Sequence, residues 1–181
     1  MKDYILEVKK VIPNVLCEKI ISYFDHSYID ASTTGHGVNK SIRNCVTRSL
    51  LEPKTFGERL CSNAIKKSIY DCVKHYDDKF GVAPEDISQL DLLKYECNDH
   101  DAGYDFHRDF GAKSNQRHLS ISVALNNDYT GGEFVFDIPN GHYTVVQNIG
   151  DAVIFPSNFM FPHQVNKIKS GTRLALIGWV I

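Results

Sequence analysis

The chain has 181 residues, 43% of them hydrophobic, which is enough for one well-covered core and too short for two. Twenty Lys and Arg against 22 Asp and Glu leave a formal charge of −2, so there is no global positive field and a general nucleic-acid binder is excluded, with only a local basic groove left open. No run approaches the roughly 18–20 apolar residues of a membrane span, the start MKDYILEVKK mixes acids and lysines into its first apolar residues, and a membrane partner is not expected. Cys17, Cys45, Cys61, Cys72 and Cys97 are odd in number and form no C-x-x-C pair, which reads as reduced thiols in a cytoplasmic protein.

In chain order, Pro13-Asn14 is a start signal for a helix over NVLCEKIISYFDH, with Leu16, Ile20, Ile21 and Phe24 on one stripe. Residues 31–49, ASTTGHGVNKSIRNCVTRS, show no apolar period and read as a long loop or edge hairpin carrying Lys40, Arg43 and Arg48. From Phe56 to Phe80 apolar residues recur at Cys61, Ile65, Ile69, Cys72 or Val73, Tyr76 and Phe80, the three-to-four spacing of a longer helix, which Gly81 and Pro84 end. Beyond Pro84 the period changes to two. The segments QLDLLKYE, HLSISVALN, EFVF, YTVVQ, AVIF and RLALIGWVI read as strands separated by Gly, Asn, Asp and Pro. Helices followed by many short strands predict an α+β fold, a jelly roll or small barrel backed by helices, in one domain over 1–181. Residues 1–84 would be mainly helical support with a substrate loop, and 85–181 the β core. In HLSISVALN, Leu119, Ile121, Val123 and Leu125 alternate with Ser120, Ser122 and Ala124, so one face can meet helices while the small polar face walls a cavity.

His-x-Asp occurs twice, at His75–Asp77 and at His107–Asp109. Side chains two apart point roughly 200° apart on a helix but to the same side of a strand. The first pair lies in the helical stretch and belongs to its surface; the second, in FHRDFG within the β half, can converge on one ion. A facial triad of two histidines and a carboxylate, which leaves metal positions open, needs one more histidine. His163 is the candidate, next to IFPSNFMFP, although a histidine beside Pro162 is also an ordinary loop residue. Ten residues later Arg173 opens an apolar strand, where a buried guanidinium requires an anion, either a bound carboxylate or an internal Asp or Glu.

With these residues in place, the stretch 91–181 resembles the catalytic core of the iron(II)- and 2-oxoglutarate-dependent oxygenases, most closely the prolyl 4-hydroxylase-like group. The resemblance runs through Tyr95 and Tyr104 ahead of His107 and Asp109, then LNNDYTGGEFVF with Gly131-Gly132, GDAVIFPS, the His163–Arg173 pair and Trp179. It implies a double-stranded β-helix in which His107, Asp109 and His163 bind Fe(II), Arg173 binds the distal carboxylate of 2-oxoglutarate, and Tyr95 hydrogen-bonds that cosubstrate. It places Tyr104, Arg117 and Trp179 near the substrate entrance. O2 is the oxidant, with ascorbate as accessory reductant. Arginine rather than lysine at position 173 is similar to the oxygen-sensing group, yet the tyrosine that helps bind the distal carboxylate there corresponds to Ala124, with Ser120 or Ser122 as its replacement.

The resemblance implies hydroxylation of a prolyl residue in a peptide or protein, with succinate and CO2 as co-products; residues 31–49, long, polar, glycine-containing and carrying Lys40, Arg43 and Arg48, are expected to form part of the clamp over the substrate. A free amino acid or other small metabolite is the alternative substrate, and a jelly-roll binding module is the alternative outside enzymology. Nucleic-acid demethylases on this fold carry a second arginine six residues after the first, where this chain has Trp179.

Overall fold

A computed structural model describes residues 1–31, 37–97, 101–110 and 116–181. After a 3-10 turn at Lys2–Tyr4 come β1 (Leu6–Val8), α1 (Asn14–Phe24), β2 (Ile29–Asp30), β3 (Arg43–Asn44), β4 (Val46–Ser49) and α2 (Phe56–Phe80). Strands β5 (Ile87–Glu96), β6 (Gly103–His107), β7 (Leu119–Ala124), β8 (Thr130–Gly131) and β9 (Phe134–Ile138) follow. The chain then forms β10 (Gly141–Val145), β11 (Ala152–Pro156), β12 (His163–Val165), β13 (Ile168–Ser170) and β14 (Thr172–Val180).

Among the described residues the strands form a seven-stranded sheet, β1-β11-β7-β14-β5-β4-β2, a five-stranded sheet, β10-β9-β12-β6-β3, and the pair β13-β8. Strand alternation splits the core into two layers. Leu90 and Leu92 of β5, Leu119, Ile121 and Val123 of β7, and Leu176 of β14 face outward, where they pack on Cys17, Ile20 and Phe24 of α1 and Ile65, Ile69 and Tyr76 of α2. Leu93, Tyr95, Ile177 and Trp179, on the opposite face of the same strands, meet Phe134, Phe136 and Val165 of the smaller sheet. The space between the sheets holds the site, and the helices stiffen one wall of it.

Both expected helices form. Thr55 and Glu58 close a capping box at the start of α2, and Gly81 ends it with a φ of 63°, the left-handed conformation that glycine adopts without a Cβ clash. In α1 the buried stripe is Cys17, Ile20 and Phe24, while Leu16 and Ile21 only flank it.

Of the long loop or edge hairpin expected over 31–49, the described part forms short strands near the edges of the two sheets, with 32–36 outside the described residues. Within seven residues the chain passes from one sheet to the other: Arg43 pairs with Tyr104 of β6, and Ser49 pairs with Asp91 of β5. Cys45, between β3 and β4, is buried. Arg48 is also unavailable to a substrate. It is buried over Phe24, donates to the Ser49 carbonyl and lies 3.7 Å from the Glu58 carboxylate. At the other edge β1 pairs with β11, so the N-terminal half adds strands to both sheets. Strands of two to four residues are too short to display a period.

Candidate active site

His107 ends β6 and His163 begins β12, and the two are directly paired across the strands. The pairing brings their rings to 4.2 Å between centroids. Asp109, two residues beyond His107, places Oδ1 3.7 Å from His107 Nε2 and Oδ2 3.7 Å from His163 Nε2. One ligand atom from each residue lies within 4.8 Å of the others. His107 Nδ1 is 2.9 Å from the Asp105 carbonyl and His163 Nδ1 3.0 Å from the Phe161 carbonyl. A carbonyl only accepts, so both Nδ1 atoms carry hydrogen and both Nε2 lone pairs are left for a metal.

The electrostatics favour the ligand form of His107 and Asp109. Burial and the neighbouring His163 push the His107 imidazole well below its ordinary range, so it stays neutral. Burial alone would raise the Asp109 carboxyl, but His163, His107 and the Ser120 hydroxyl outweigh it and hold the group ionised. Ser120 donates to Asp109 Oδ2 over 2.6 Å and lies 2.6 Å from Ser157 Oγ. Tyr104 stacks on His107 at 3.4 Å, and Phe134 on His163 at 5.1 Å, which fixes both rings. Nε2 atoms turned to one point, an ionised carboxylate and fixed rings fit a divalent iron site.

Arg173 on β14 pairs with Tyr95 on β5, and its guanidinium carbon lies 5.5 Å from the Tyr95 ring centroid. The residue is 2% exposed and its Nε has no hydrogen-bond partner. Among the described residues no carboxylate lies within ion-pair distance of it, so the internal salt bridge left open by the sequence is absent there. A buried guanidinium without an anion is costly, and it fits the carboxylate of a cosubstrate. Gly132, at φ 68°, makes room for it: a Cβ there would lie 2.9 Å from Arg173 Cδ and 2.5 Å from Ile168 Cδ1. A cavity of about 620 Å³ is lined by the triad, Arg173, Tyr95, Tyr104, Arg117 and Trp179, and continues along β5 and β4 past Asp91, Ser49 and Ile29.

The other His-x-Asp motif forms no such site. His75 is exposed on α2, and Asp77 Oδ1 accepts the Ala83 N–H past the helix end. Of the two serines considered for the cosubstrate, Ser120 is committed to Asp109, whereas Ser122 lines the cavity. The Ser120–Ser157 support of Asp109 was not read from the sequence. Its only trace there is the small polar face of HLSISVALN. Replacement of Ser120 by alanine removes this support and is expected to weaken Mn²⁺ binding about tenfold. Calorimetric titration measures the change.

Residues 90–181 match the model of the 2OG-Fe(II) oxygenase superfamily. The chain belongs to that superfamily. It is similar to a PKHD-type hydroxylase of Crocosphaera subtropica, 27% identical over 162 residues that cover 85% of this chain and 67% of the relative. Another PKHD-type hydroxylase, of Acaryochloris marina, is 29% identical over 160 residues covering 84% and 66%; the chain thus spans about two thirds of the length of these relatives. Among solved structures, a prolyl-4-hydroxylase of Pseudomonas putida superposes with a TM-score of 0.76 at 19% identity, over 98% of this chain and 92% of the other. A prolyl hydroxylase of Trichoplax adhaerens, in complex with a hypoxia inducible factor oxygen degradation domain peptide fragment, gives 0.79 at 14% identity, over 98% and 83%. These likenesses establish the fold, a double-stranded β-helix. No helix among the described residues is long and apolar enough to cross a membrane.

Proposed function

We propose that the protein hydroxylates a prolyl residue in a peptide or protein, with His107, Asp109 and His163 holding Fe(II) and Arg173 with Tyr95 holding 2-oxoglutarate. The observation that carries this reading is the single cavity that joins the His-Asp-His triad to an unpaired buried arginine and then continues beyond both, along β5 and β4. That continuation has room for more of a chain than the residue being oxidised. The hydroxylases and prolyl hydroxylases to which the chain is similar support the same substrate class.

When bound, Fe(II) and 2-oxoglutarate supply the O2 chemistry: one oxygen atom enters the substrate C–H bond as hydroxyl, the other enters succinate, and CO2 leaves. The protein's part is binding, orientation and exclusion of water. The two Nδ1–carbonyl bonds and the Ser120 bond hold the ligands without reorganisation. Arg173 neutralises the distal carboxylate of the cosubstrate in a place closed to solvent. Tyr104 and Trp179, over nine-tenths buried, line the same cavity, and Arg117 lies 3.9 Å from the Trp179 ring centroid; these three form the wall that a substrate meets.

Incubation with Fe(II), O2, 2-oxoglutarate and proline-containing peptides is expected to give hydroxyproline, seen as an added 16 Da (approximate mass of one oxygen), with one succinate per hydroxylation. Free proline in a parallel arm should be a poor substrate. Efficient turnover of free proline with none of any peptide would overturn the peptide reading in favour of a small metabolite.

A further inference from the structure

Outside the triad and the arginine pocket, the cavity is also lined by Asp30, Arg43, Glu52, Asp91 and Arg117, and of these Asp91 is the most buried carboxylate. Asp91 lies on the same face of β5 as Leu93 and Tyr95, four residues before Tyr95, or about 13 Å along the strand. Its partners across the sheet are Ile177 of β14 and Ser49 of β4, so it stands on the extension of the cavity rather than at its metal end. The residue is 8% exposed and lines the cavity. One carboxylate oxygen, Oδ2, accepts the Gln89 amide at 2.5 Å. Among the described residues no lysine, arginine or histidine is within ion-pair distance of it.

The neighbours keep it that way. Arg117 donates to Gln89 Oε1 at 3.0 Å, and because a guanidinium can only donate, the Gln89 amide must present its NH2 to Asp91. Arg117 is occupied by that bond and by the Trp179 ring. Arg43 lies over Tyr104. Asp30 and Glu52 share the same wall; Lys40 neutralises Asp30, and Glu52 bears on Asp91 with like charge. In the same cavity the buried Trp179 indole N–H is directed at Asp109. Arg43 and Arg117 act on Asp91 through space from beyond ion-pair distance, but burial outweighs them and raises its carboxyl, so a cation brought against its second oxygen would still be favourable.

We infer that Asp91 is a specificity residue that receives a protonated side chain, lysine or arginine, flanking the target residue of the substrate. The inference rests on the peptide reading above. The Gln89 amide steadies one oxygen, and the other accepts from the substrate cation.

The test measures binding apart from turnover. Protein loaded with Mn²⁺ and 2-oxoglutarate is titrated by calorimetry with blocked peptides of central proline. In these, one lysine is moved through the flanking positions and matched each time by glutamine. At one position or more the wild-type protein should favour lysine by on the order of tenfold, as a charge-assisted hydrogen bond provides. Asp91→Asn should erase that preference, and Asp91→Arg should turn it toward glutamate at the same position. The inference is overturned if wild type favours lysine nowhere, or if the preference survives Asp91→Asn. Hydroxyproline formed without any lysine preference leaves the prolyl reading standing and removes Asp91 from it. Asp91-dependent binding with no hydroxyproline formed does the reverse.

Discussion

Replacing His163 with alanine is expected to abolish tight Mn²⁺ binding, with His107→Ala and Asp109→Ala close behind. Each residue supplies one of three ligand atoms that converge among the described residues, so its loss should exceed the roughly 10–100-fold that a missing hydrogen-bonding partner of a ligand costs. His163 should be the most severe because its ring is held on several sides, by Phe134, Phe136 and Phe155, and nothing among them can replace an imidazole as ligand. His75→Ala, on the exposed face of α2, serves as the control and should bind as wild type. Calorimetry on the four variants decides the assignment: loss in His75→Ala with retention in His107→Ala would refute it.

Arg173→Ala should weaken 2-oxoglutarate binding by about 2–5 kcal/mol, the usual cost of stripping one partner from a buried charge pair, or roughly 30-fold and upward in affinity. The size of the effect follows from burial: at 2% exposure, solvent cannot take over from the guanidinium as it would at a surface ion pair. Mn²⁺ should still bind, because Arg173 touches none of the three ligands. Arg173→Lys should recover part of the loss as a point charge without the bidentate fork. An unchanged affinity for 2-oxoglutarate in Arg173→Ala would show that the cosubstrate carboxylate lies elsewhere.

Much of this site is visible in the residues before any folding, and the reasons are local. The His107-x-Asp109 motif is distinguishable from His75-x-Asp77 because the period around each differs, helical in one and extended in the other, and only an extended backbone turns both side chains to one side. The helix Phe56–Phe80 is long enough for its apolar spacing to be read. In HLSISVALN, the alternation divides the residues that pack on the helices from Ser120, bound to Asp109, and Ser122, which lines the cavity. Arg173 announces itself as a charge at the start of an apolar strand.

What the chain could not disclose locally depends on partners distant in sequence. The pairing of His163 with His107 joins residues more than fifty positions apart, and only the strand register of β6 and β12 makes them neighbours. Arg48 looks like a free cation of a polar loop, but the sheet buries it against Phe24 and Glu58. Ser120 becomes a support for Asp109, rather than a cosubstrate ligand, because β7 runs behind the triad. Asp91 reads in QLDLLKYE as an ordinary polar position of an alternating strand; the fold brings β4 and β14 up on either side of it and turns a solvated carboxylate into a buried one facing the cavity. Residue type and period thus determined the helical wall and pointed to the proposed ligands and anion site, whereas strand order and register decided which side chains share one enclosed space, since those rest on contacts between segments whose sequences carry no record of each other.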